Sequence, residues 1–407
     1  MAERRPRILP DDRQPVIIAA RRTPVCRANG ALKTLHAHEL LAPVLRSVLA
    51  DAGASPESVA DVVIGNAVGG GGNVARLAAL EAGLPVSVPG VTVDRQCGSG
   101  LDAIVLASQL VAAGGGLYLA GGVESISTAP LRARRDPGGD PEFFSRAQFV
   151  PLDLGDPDMG VAAENVAAHF GISRERQDEL ALRSHQRALA SAAAGVFDAE
   201  IVQLGVVGAG GTDGALGTDG GTVRADDGPR RGLTAAVLAR FPPVFADGGT
   251  VTAGNSCFDA DGAAAAVVTS VQHARELGAT SGLLVRGTDT AGVDPQLLGI
   301  GAAAAAERLL ERCGVTAAGL GLVEFNEAFA SQTLACLDRL GIPPERANLD
   351  GGALALGHAY GASGAVLVTR LLAQARRNPV EGQLALAMIS IAGGMGTAAL
   401  LEYRSIS

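Results

Sequence analysis

The stretch that decides the fold is Val91-Thr92-Val93-Asp94-Arg95-Gln96-Cys97-Gly98-Ser99-Gly100. An apolar, β-branched run typical of a strand ends just before a cysteine, and an apolar helical pattern then runs from Leu101 to about Ala113. The two glycines allow a sharp turn between these elements. Backbone N–H groups at a helix start favour negative charge, so this position predicts a lowered thiol pKa and a nucleophilic Cys97. The alternative is a small buried cysteine beside packing glycines.

The composition favours a large α/β enzyme. The chain has 407 residues, 47% of them hydrophobic, but only 3% are aromatic and 55 are glycine, which suits close packing of helices on sheets. A length of this size predicts two or three domains, or one large domain with an insertion. The net charge of −9 argues against a nucleic-acid partner. Five scattered cysteines, with no secretory signal and no uninterrupted apolar span, predict a reduced cytoplasmic protein without a membrane span.

The order of predicted elements repeats along the chain. Hydrophobic periodicity predicts strands at 15–20, 61–64, 116–120 and 263–268, and helices at 39–52, 73–81, 161–170 and 173–194. Residues 128–158 have no sustained apolar period, which indicates the start of an excursion, and the glycine-rich stretch 205–221 predicts an exposed loop. Residues 61–123 and 322–395 share the order strand, helix, Ser-Gly, apolar helix, strand and Gly-Gly, which favours two similar halves.

Three further stretches place polar residues where a purely structural core would not. They are Glu324-Phe325-Asn326-Glu327-Ala328-Phe329-Ala330, the run from Gly351 through Leu356-Gly357-His358 to Gly364, and Met388-Ile389-Ser390-Ile391-Ala392-Gly393-Gly394. A single histidine in an apolar run is more often structural, and a single Asn-Glu pair is more often a helix cap. Together with Cys97, however, they supply a nucleophile, an imidazole to accept its proton, and an amide to hold a water or polarise a carbonyl.

At these motifs the sequence resembles the thiolases, coenzyme A–dependent acyltransferases that make and break β-ketoacyl thioesters. The resemblance covers essentially the whole chain. It rests on Arg95-Gln96-Cys97-Gly98-Ser99-Gly100, Met159-Gly160, Ala163-Glu164-Asn165-Val166-Ala167, Thr252-Ala253-Gly254-Asn255, Asp261-Gly262-Ala263-Ala264, Asn326-Glu327-Ala328-Phe329-Ala330 and Gly351-Gly352-Ala353-Leu354-Ala355-Leu356-Gly357-His358. Several long motifs in the family's order make a chance match very improbable.

The resemblance implies an α/β fold with a five-layered α/β/α/β/α core of two similar halves. The first half would be residues 1–275, with an excursion at about 126–250 that covers the active site, and the second would be residues 276–407. The family implies a homodimer or homotetramer and an acyl-CoA substrate, and it implies neither a tightly bound cofactor nor a metal.

The resemblance also assigns roles to individual residues. Cys97 would attack an acyl thioester and carry the acyl group, while His358 would activate Cys97 and help to form an oxyanion hole. Asn326 would hold a water that stabilises the enolate oxygen, and the backbone around Gly394 would donate to the other oxyanion. The substrate-binding positions implied by the family are Met159 near the pantetheine, Arg230 near the adenine, Cys257, Phe258 and Phe329.

The largest departure from the family is Ser390, where thiolases have a second cysteine that takes a proton from the acyl α-carbon and returns it. A thiol suits this step because its pKa of about 8.5 lies near working pH, whereas an alcohol is a far weaker acid. We expect Ser390 to slow condensation and thiolysis strongly while sparing acylation of Cys97. The alternatives are that the sequence was deliberately altered at position 390, or that another residue acts as the base.

Other departures concern the surroundings of the site. Ala359-Tyr360 stands where the family has a proline after the histidine, so Tyr360 adds a possible donor near the imidazole. Cys257-Phe258 replaces a pair that is normally small, and we expect Phe258 to narrow the acyl pocket, with core packing as the rival. Asp158 precedes Met159 where one branch has histidine, and the 205–221 loop has few basic residues for coenzyme A phosphates.

These departures leave three functions open. The leading prediction is a thiolase-type acyltransferase that uses acyl-CoA. The second is a thiolase-like ketosynthase or acyl transferase acting on carrier-protein thioesters. The small number of basic residues in the 205–221 loop favours it. The third is a catalytically weak homologue kept as a partner subunit, which Ser390 and Ala359 favour and which intact Cys97, His358 and Asn326 oppose.

Overall fold

The computed structural model describes residues 9–206, the backbone of 218–219 and residues 221–406. The predicted exposed loop at 205–221 therefore lies mostly outside the described residues. The helices described are α1 (Ala37–Asp51), α2 (Val74–Glu81), α3 (Ser99–Gly114), α4 (Met159–Phe170), α5 (Arg174–Ala193), α6 (Ala235–Leu238), α7 (Val271–Glu276), α8 (Gly301–Cys313), α9 (Ala330–Leu340), α10 (Ala353–Leu356) and α11 (Tyr360–Arg377). The strands are β1 (Pro15–Arg22), β2 (Cys26–Arg27), β3 (Val59–Gly65), β4 (Gly90–Val93), β5 (Leu117–Glu124), β6 (Arg132–Arg134), β7 (Glu142–Phe144), β8 (Leu204–Gly205), β9 (Thr218–Asp219), β10 (Thr222–Val223), β11 (Ala260–Ser270), β12 (Ser281–Gly292), β13 (Leu320–Phe325), β14 (Leu384–Ile391) and β15 (Met395–Ser405).

The main sheet consists of two halves with the same strand order. Its path is β13-β14-β15-β12-β1-β11-β5-β3-β4, with β2 paired to β11. The order β12-β15-β14-β13 in the second half repeats β1-β11-β5-β3 in the first, and β13–β14 is parallel as β3–β5 is. The halves join through a short antiparallel pairing of Val16 with Leu284 and Ile17 with Leu283. The internal repeat predicted from the order of elements is therefore present in the fold.

Three hydrophobic clusters divide the protein into five layers. One cluster lies between α1, α2 and the first half of the sheet, and another lies between α8, α9 and the second half. The third contains α3 and α11 together with strands of both halves, so these two helices form a central layer between them. The architecture is the predicted α/β/α/β/α arrangement. Among the described residues one segment, Gln96–Gly114, is long and apolar enough to span a bilayer, and it contains the core helix α3.

The central layer is tight because glycines line the contact between its helices. A Cβ atom at Gly100 would lie 2.5 Å from the carbonyl oxygen of Gly361, and one at Gly364 would lie 2.5 Å from the amide nitrogen of Leu101. Only glycine permits such an approach of two backbones. The motif that follows Cys97 and the motif that follows His358 therefore interlock at the start of α3 and α11.

The excursion leaves the sheet between β5 and β11, which are neighbours in it. Arg22 at the end of β1 anchors this part of the chain. Its guanidinium is fully buried and donates to Glu200 at 2.8 Å and to Asp226 at 2.7 Å. Because both carboxylates belong to the excursion, one buried cation fixes the excursion to the sheet.

Replacing Arg22 with alanine is expected to lower the free energy of unfolding by about 3–5 kcal/mol, because it removes the cation paired with buried Asp226 and leaves Glu200 only its longer contact with Arg370. The matched control is Arg339→Ala, since Arg339 pairs with Glu307 at the surface outside the excursion, where the loss should stay below about 1 kcal/mol. Denaturant titration of both variants measures the difference. Equal losses in the two variants would contradict the anchoring role.

Candidate active site

Cys97 lies in a tight turn between β4 and α3, two residues before the helix begins. Gln96 has a φ of 46°, in the left-handed region that residues other than glycine seldom adopt. The turn is held by Ser99, whose Oγ accepts from the Arg95 N–H at 2.8 Å, and by Asp94, whose Oδ1 accepts from the Gln96 N–H at 2.7 Å. Such strain is typical of functional positions, and here it presents the thiol to a cavity.

The environment of Cys97 corrects the prediction of an acidified thiol. Burial raises the pKa of the Cys97 thiol to about 12, and hydrogen bonding to the Ala392 N–H only partly offsets this. The helix start is present, but loss of water around the sulfur outweighs its effect. Cys97 is therefore a protonated thiol at neutral pH, and it needs a base to become a nucleophile.

His358 provides that base from the second half of the molecule. Its side chain is 4% exposed and lines the same cavity as Cys97. Nδ1 is 2.7 Å from the Ser363 hydroxyl, while Nε2 is buried and makes no hydrogen bond among the described residues. Burial lowers the pKa of His358 to about 4, so the imidazole is neutral at pH 7. A neutral ring held at one nitrogen and free at the other is suited to accept a proton.

The shared cavity has a volume of about 1100 Å³. Of the residues predicted from the sequence, it brings together Cys97, His358, Ser390, Met159, Cys257 and Phe329. Its wall also contains five of the chain's ten phenylalanines, namely Phe143, Phe144, Phe149, Phe245 and Phe329. Phe245 meets Phe329 edge to face at 6.1 Å. In a chain this poor in aromatics, that concentration marks a site for an apolar group.

Asn326 and Gly394 lie beside the cavity rather than in its wall. Asn326 is 3% exposed, and its Nδ2 has no hydrogen-bond partner among the described residues, so it can still donate to a bound water. Gly394 lies further round the β14–β15 turn, where its carbonyl accepts from Val293 at 2.8 Å. The backbone donor near the Cys97 sulfur is Ala392, which lines the cavity. The structure thus shifts the predicted backbone donor from Gly394 to Ala392.

Ser390 is held by two backbone groups. Its hydroxyl donates to the Gly299 carbonyl at 2.6 Å and accepts from the Ala302 N–H at 3.1 Å. Ala302 is in the first turn of α8, so the Ser390 oxygen lies at a helix N-terminus. The proton of this hydroxyl is directed at a carbonyl oxygen, which cannot remove it.

Phe258 and Arg230 lie outside the cavity that holds Cys97. Both line a smaller neighbouring pocket. The Phe258 ring packs beneath the Arg27 guanidinium at 3.8 Å, and Cβ atoms at Gly228 or Gly357 would collide with it. The prediction that Phe258 narrows the acyl pocket is therefore not supported by its position, and the contacts favour packing. Arg230 is exposed, and its backbone N–H donates to His185 Nδ1 at 3.1 Å.

Two contacts of the site were not predicted from the sequence, that of Ser363 with His358 and that of Tyr360 with Asp259. Ser363, noted only as part of the repeat, orients the imidazole of His358. Tyr360 lies 5.2 Å from the His358 ring, but its hydroxyl donates to Asp259 Oδ1 at 2.6 Å rather than to the imidazole. Both Tyr360 and Asp259 line the cavity, so they add a hydrogen-bonded polar pair to its wall.

Comparison with known proteins bears directly on this arrangement. The family profile described as "Thiolase, N-terminal domain" matches residues 15–272, and that described as "Thiolase, C-terminal domain" matches residues 281–403. The chain belongs to the thiolase family. It is therefore an acyltransferase enzyme with the thiolase fold.

Individual relatives agree with this family. The chain is 44% identical to "Putative acetyl-CoA C-acetyltransferase YhfS" of Bacillus subtilis, over 95% of this chain and 98% of that protein. It is 42% identical to "Putative acetyl-CoA C-acetyltransferase VraB" of Staphylococcus aureus, over 95% of this chain and 98% of that protein. Among solved structures, it matches an acetyl-CoA acetyltransferase of Bacillus anthracis with a TM-score of 0.85 and 35% identity, covering 96% of this chain and 99% of that one.

The described part of this thiolase has one group of three side chains close enough to share a metal ion. It consists of His38, Glu39 and Glu81, on α1 and at the end of α2. None of the three lines the cavity that holds Cys97, and no potential metal-binding group of this kind is found in that cavity within the described ranges.

The raised thiol pKa predicts how this thiolase reacts with iodoacetamide. Below its pKa a thiol gains thiolate about tenfold for each pH unit, so alkylation of Cys97 should rise by about that factor per unit from pH 7 to pH 10. Peptide mass spectrometry after timed alkylation measures the rate at Cys97. A rate that levels off below pH 8 would instead reveal the acidified thiolate expected from the sequence.

Proposed function

We propose that this thiolase forms or cleaves β-ketoacyl thioesters through an acyl group carried on Cys97, converting two acyl-CoA molecules into a 3-oxoacyl-CoA and free coenzyme A, or the reverse. The observation that carries the proposal is the presence, in one cavity, of the Cys97 thiol and of a buried His358 whose Nε2 has no hydrogen-bond partner in the described part of the chain. The names of the relatives support the same acyl transfer.

The first half-reaction follows from this arrangement. His358 Nε2 accepts the Cys97 proton as the sulfur attacks the thioester carbonyl, and Ser363 keeps the ring oriented through Nδ1. The Ala392 N–H, which lies by the sulfur, donates to the oxyanion of the tetrahedral intermediate. Collapse of that intermediate leaves the acyl group on Cys97 and releases coenzyme A.

The second half-reaction needs a carbanion on another acyl thioester. Asn326 Nδ2, buried and without a partner, orients a water toward the enolate oxygen. Ser390 stands where the family places its proton-transfer cysteine, and its hydroxyl proton is held by the Gly299 carbonyl. Proton transfer, rather than acylation, is therefore the slow step of this enzyme.

The cavity wall supports an apolar acyl group larger than acetyl. The five phenylalanines and Met159 offer a surface that a two-carbon group would leave uncovered. Coenzyme A enters as a substrate and not as a resident cofactor, with Arg230 in the neighbouring pocket as a contact for its nucleotide end. Such a reaction belongs to fatty-acid or lipid metabolism. All five cysteines are unpaired, which suits the reducing cytoplasm.

Assembly into a homodimer or homotetramer is part of the proposal. Strand β4 ends the path of the main sheet, so one of its edges has no partner strand in the described chain. Exposed apolar side chains surround this edge, namely Leu77, Leu80, Val86 and Val91. An uncovered edge beside apolar side chains is suited to pairing with a second copy.

Intact-protein mass spectrometry tests the proposed function. The protein is incubated with acyl-CoAs of increasing chain length and, in parallel, with an acylated carrier protein. We expect an adduct with the mass of the acyl group from acyl-CoA, absent in Cys97→Ala, and a 3-oxoacyl product after addition of acetyl-CoA. Transfer from the carrier protein alone would favour a ketosynthase that acts on carrier-protein thioesters. No adduct from either donor would favour a catalytically weak homologue that serves as a partner subunit.

A further inference from the structure

We propose that Cys257 is the group that moves the α-proton in this enzyme, in place of the residue at position 390. The inference rests on the proposed function, because it concerns its second half-reaction. It assigns a catalytic role to a cysteine that stands where thiolases usually have a small side chain in contact with the pantetheine.

Ser390 is unsuited to remove the α-proton. A base must give up its own proton before it can accept one, and a serine does so only beside a stronger base. The hydrogen-bond partners of the Ser390 hydroxyl are the Gly299 carbonyl, the Ala302 N–H and the Cys336 thiol. None of them is a base at neutral pH, because burial raises the pKa of Cys336 to about 12, so the Ser390 hydroxyl stays neutral and has a structural role between β14 and α8.

Cys257, in contrast, is fixed in the wall of the cavity that holds Cys97. Its backbone N–H donates to the Ala328 carbonyl at 2.9 Å, and Ser256 bridges to Phe329, so the segment is fixed to the motif that carries Asn326. The Cys257 side chain is half-buried and lines the cavity with Cys97 and His358. The remaining cysteines, Cys26, Cys313 and Cys336, do not line it. Cys257 is therefore the second thiol available to a substrate bound at Cys97.

The thiols of Cys97 and Cys257 interact electrostatically. Burial raises the pKa of Cys257, and the nearby charges of Asp259 and of an ionised Cys97 raise it further. Two thiolates cannot be present together in this cavity, but one can form when the other sulfur is acylated and neutral. A thiolate produced in this way has a high proton affinity, as removal of an α-proton requires.

The reaction balances with the groups in the cavity. During acylation the Cys97 proton goes to His358 and from there to the departing coenzyme A thiolate. His358 then takes the proton of Cys257, which leaves acyl-Cys97, a Cys257 thiolate and an imidazolium. The Cys257 thiolate then removes the α-proton of the second thioester, and the C–H electron pair becomes the enolate that attacks the acyl carbonyl. The expelled Cys97 thiolate takes the proton from His358, which restores the starting state.

The test separates acylation from α-proton transfer in the full-length protein. Acylation is followed by intact mass, and α-proton transfer by deuterium entry into acetyl-CoA in D₂O with acylated enzyme. In Cys257→Ser and Cys257→Ala we expect acylation within about threefold of wild type but exchange lowered by about 100-fold, the low end of what a positioned acid–base group supplies. Cys313→Ser, a change at a half-buried cysteine on α8 outside the cavity, is the control and should leave both rates unchanged.

A double variant makes the test decisive. Adding Ser390→Cys to Cys257→Ser should raise the exchange rate at least about tenfold above that of Cys257→Ser alone, because it returns a thiol to the cavity. Exchange that persists in Cys257→Ser, or acylation and exchange that fall together in both Cys257 variants, would overturn the inference. Absence of any Cys97 adduct in the wild type would instead overturn the proposed function, so the two failures are distinguishable.

Discussion

Replacing His358 with alanine is expected to lower the rate of Cys97 acylation at pH 7 by about 10³-fold, within the range of a positioned general base. The effect should be large because burial raises the pKa of Cys97 to about 12. With that pKa, only about one molecule in 10⁵ carries the thiolate at pH 7. The neutral imidazole, buried with a free Nε2, is the group that removes the proton. Intact-mass measurement of adduct formation at a saturating acyl-CoA concentration gives the rate.

The pH dependence of acylation in His358→Ala distinguishes the loss of a base from a structural defect. Without its base, the reaction depends on thiolate formed by the solvent, so the acylation rate of His358→Ala should rise about tenfold per pH unit above pH 7. His273→Ala is the matched control, because His273 Nδ1 also contacts a hydroxyl, that of Thr269, at 3.2 Å but lies on the outer helix α7. A loss in His358→Ala that stays constant from pH 7 to pH 10 would rule out the general-base role.

Replacing Ser390 with cysteine is expected to raise the condensation rate by about 100-fold while leaving acylation unchanged. The position is electrostatically prepared for a thiolate, because the Ala302 N–H in the first turn of α8 already donates to the side chain there. A helix N-terminus lowers the pKa of a thiol, but it cannot bring that of an alcohol into the working range. Release of coenzyme A and formation of 3-oxoacyl-CoA, measured at steady state, report condensation.

Ser390→Ala distinguishes a missing base from a disturbed site. Because the serine hydroxyl is held between two backbone groups and does no proton transfer, its removal should change condensation by no more than a few fold. An unchanged condensation rate in Ser390→Cys would contradict the expectation that the missing thiol at position 390 limits condensation. A 100-fold loss in Ser390→Ala would show that the serine itself is the base.

The sequence predicted those parts of the site that depend on local order. The strand, turn and helix around Cys97 follow from apolar spacing and glycines, and the structure has them within two residues of the prediction. The placement of Cys97 and His358 in one cavity brings together residues 261 positions apart, which no local pattern in the sequence predicts. The thiol pKa was predicted with the wrong sign, because a helix start is visible in the sequence whereas burial by the opposite half is not.

Other features were hidden for similar reasons. Phe258 was expected in the acyl pocket, since an aromatic among small residues is conspicuous. Its ring packs instead against Gly228, Gly357 and the Arg27 guanidinium. The phenylalanines at 143, 144 and 149 lie in a part of the chain without apolar periodicity, so nothing in their spacing indicated a shared wall. Burial and long-range packing decide both outcomes.

The repeated strand order has a consequence for how the reactants are distributed. Cys97 stands two residues before α3, and His358 stands two residues before α11, the corresponding helix of the other repeat. Nucleophile and base are thus each supplied, just before the corresponding helix, by one copy of the same supersecondary unit. A small rotation of one copy against the other would change the sulfur–imidazole separation while leaving both internal folds intact.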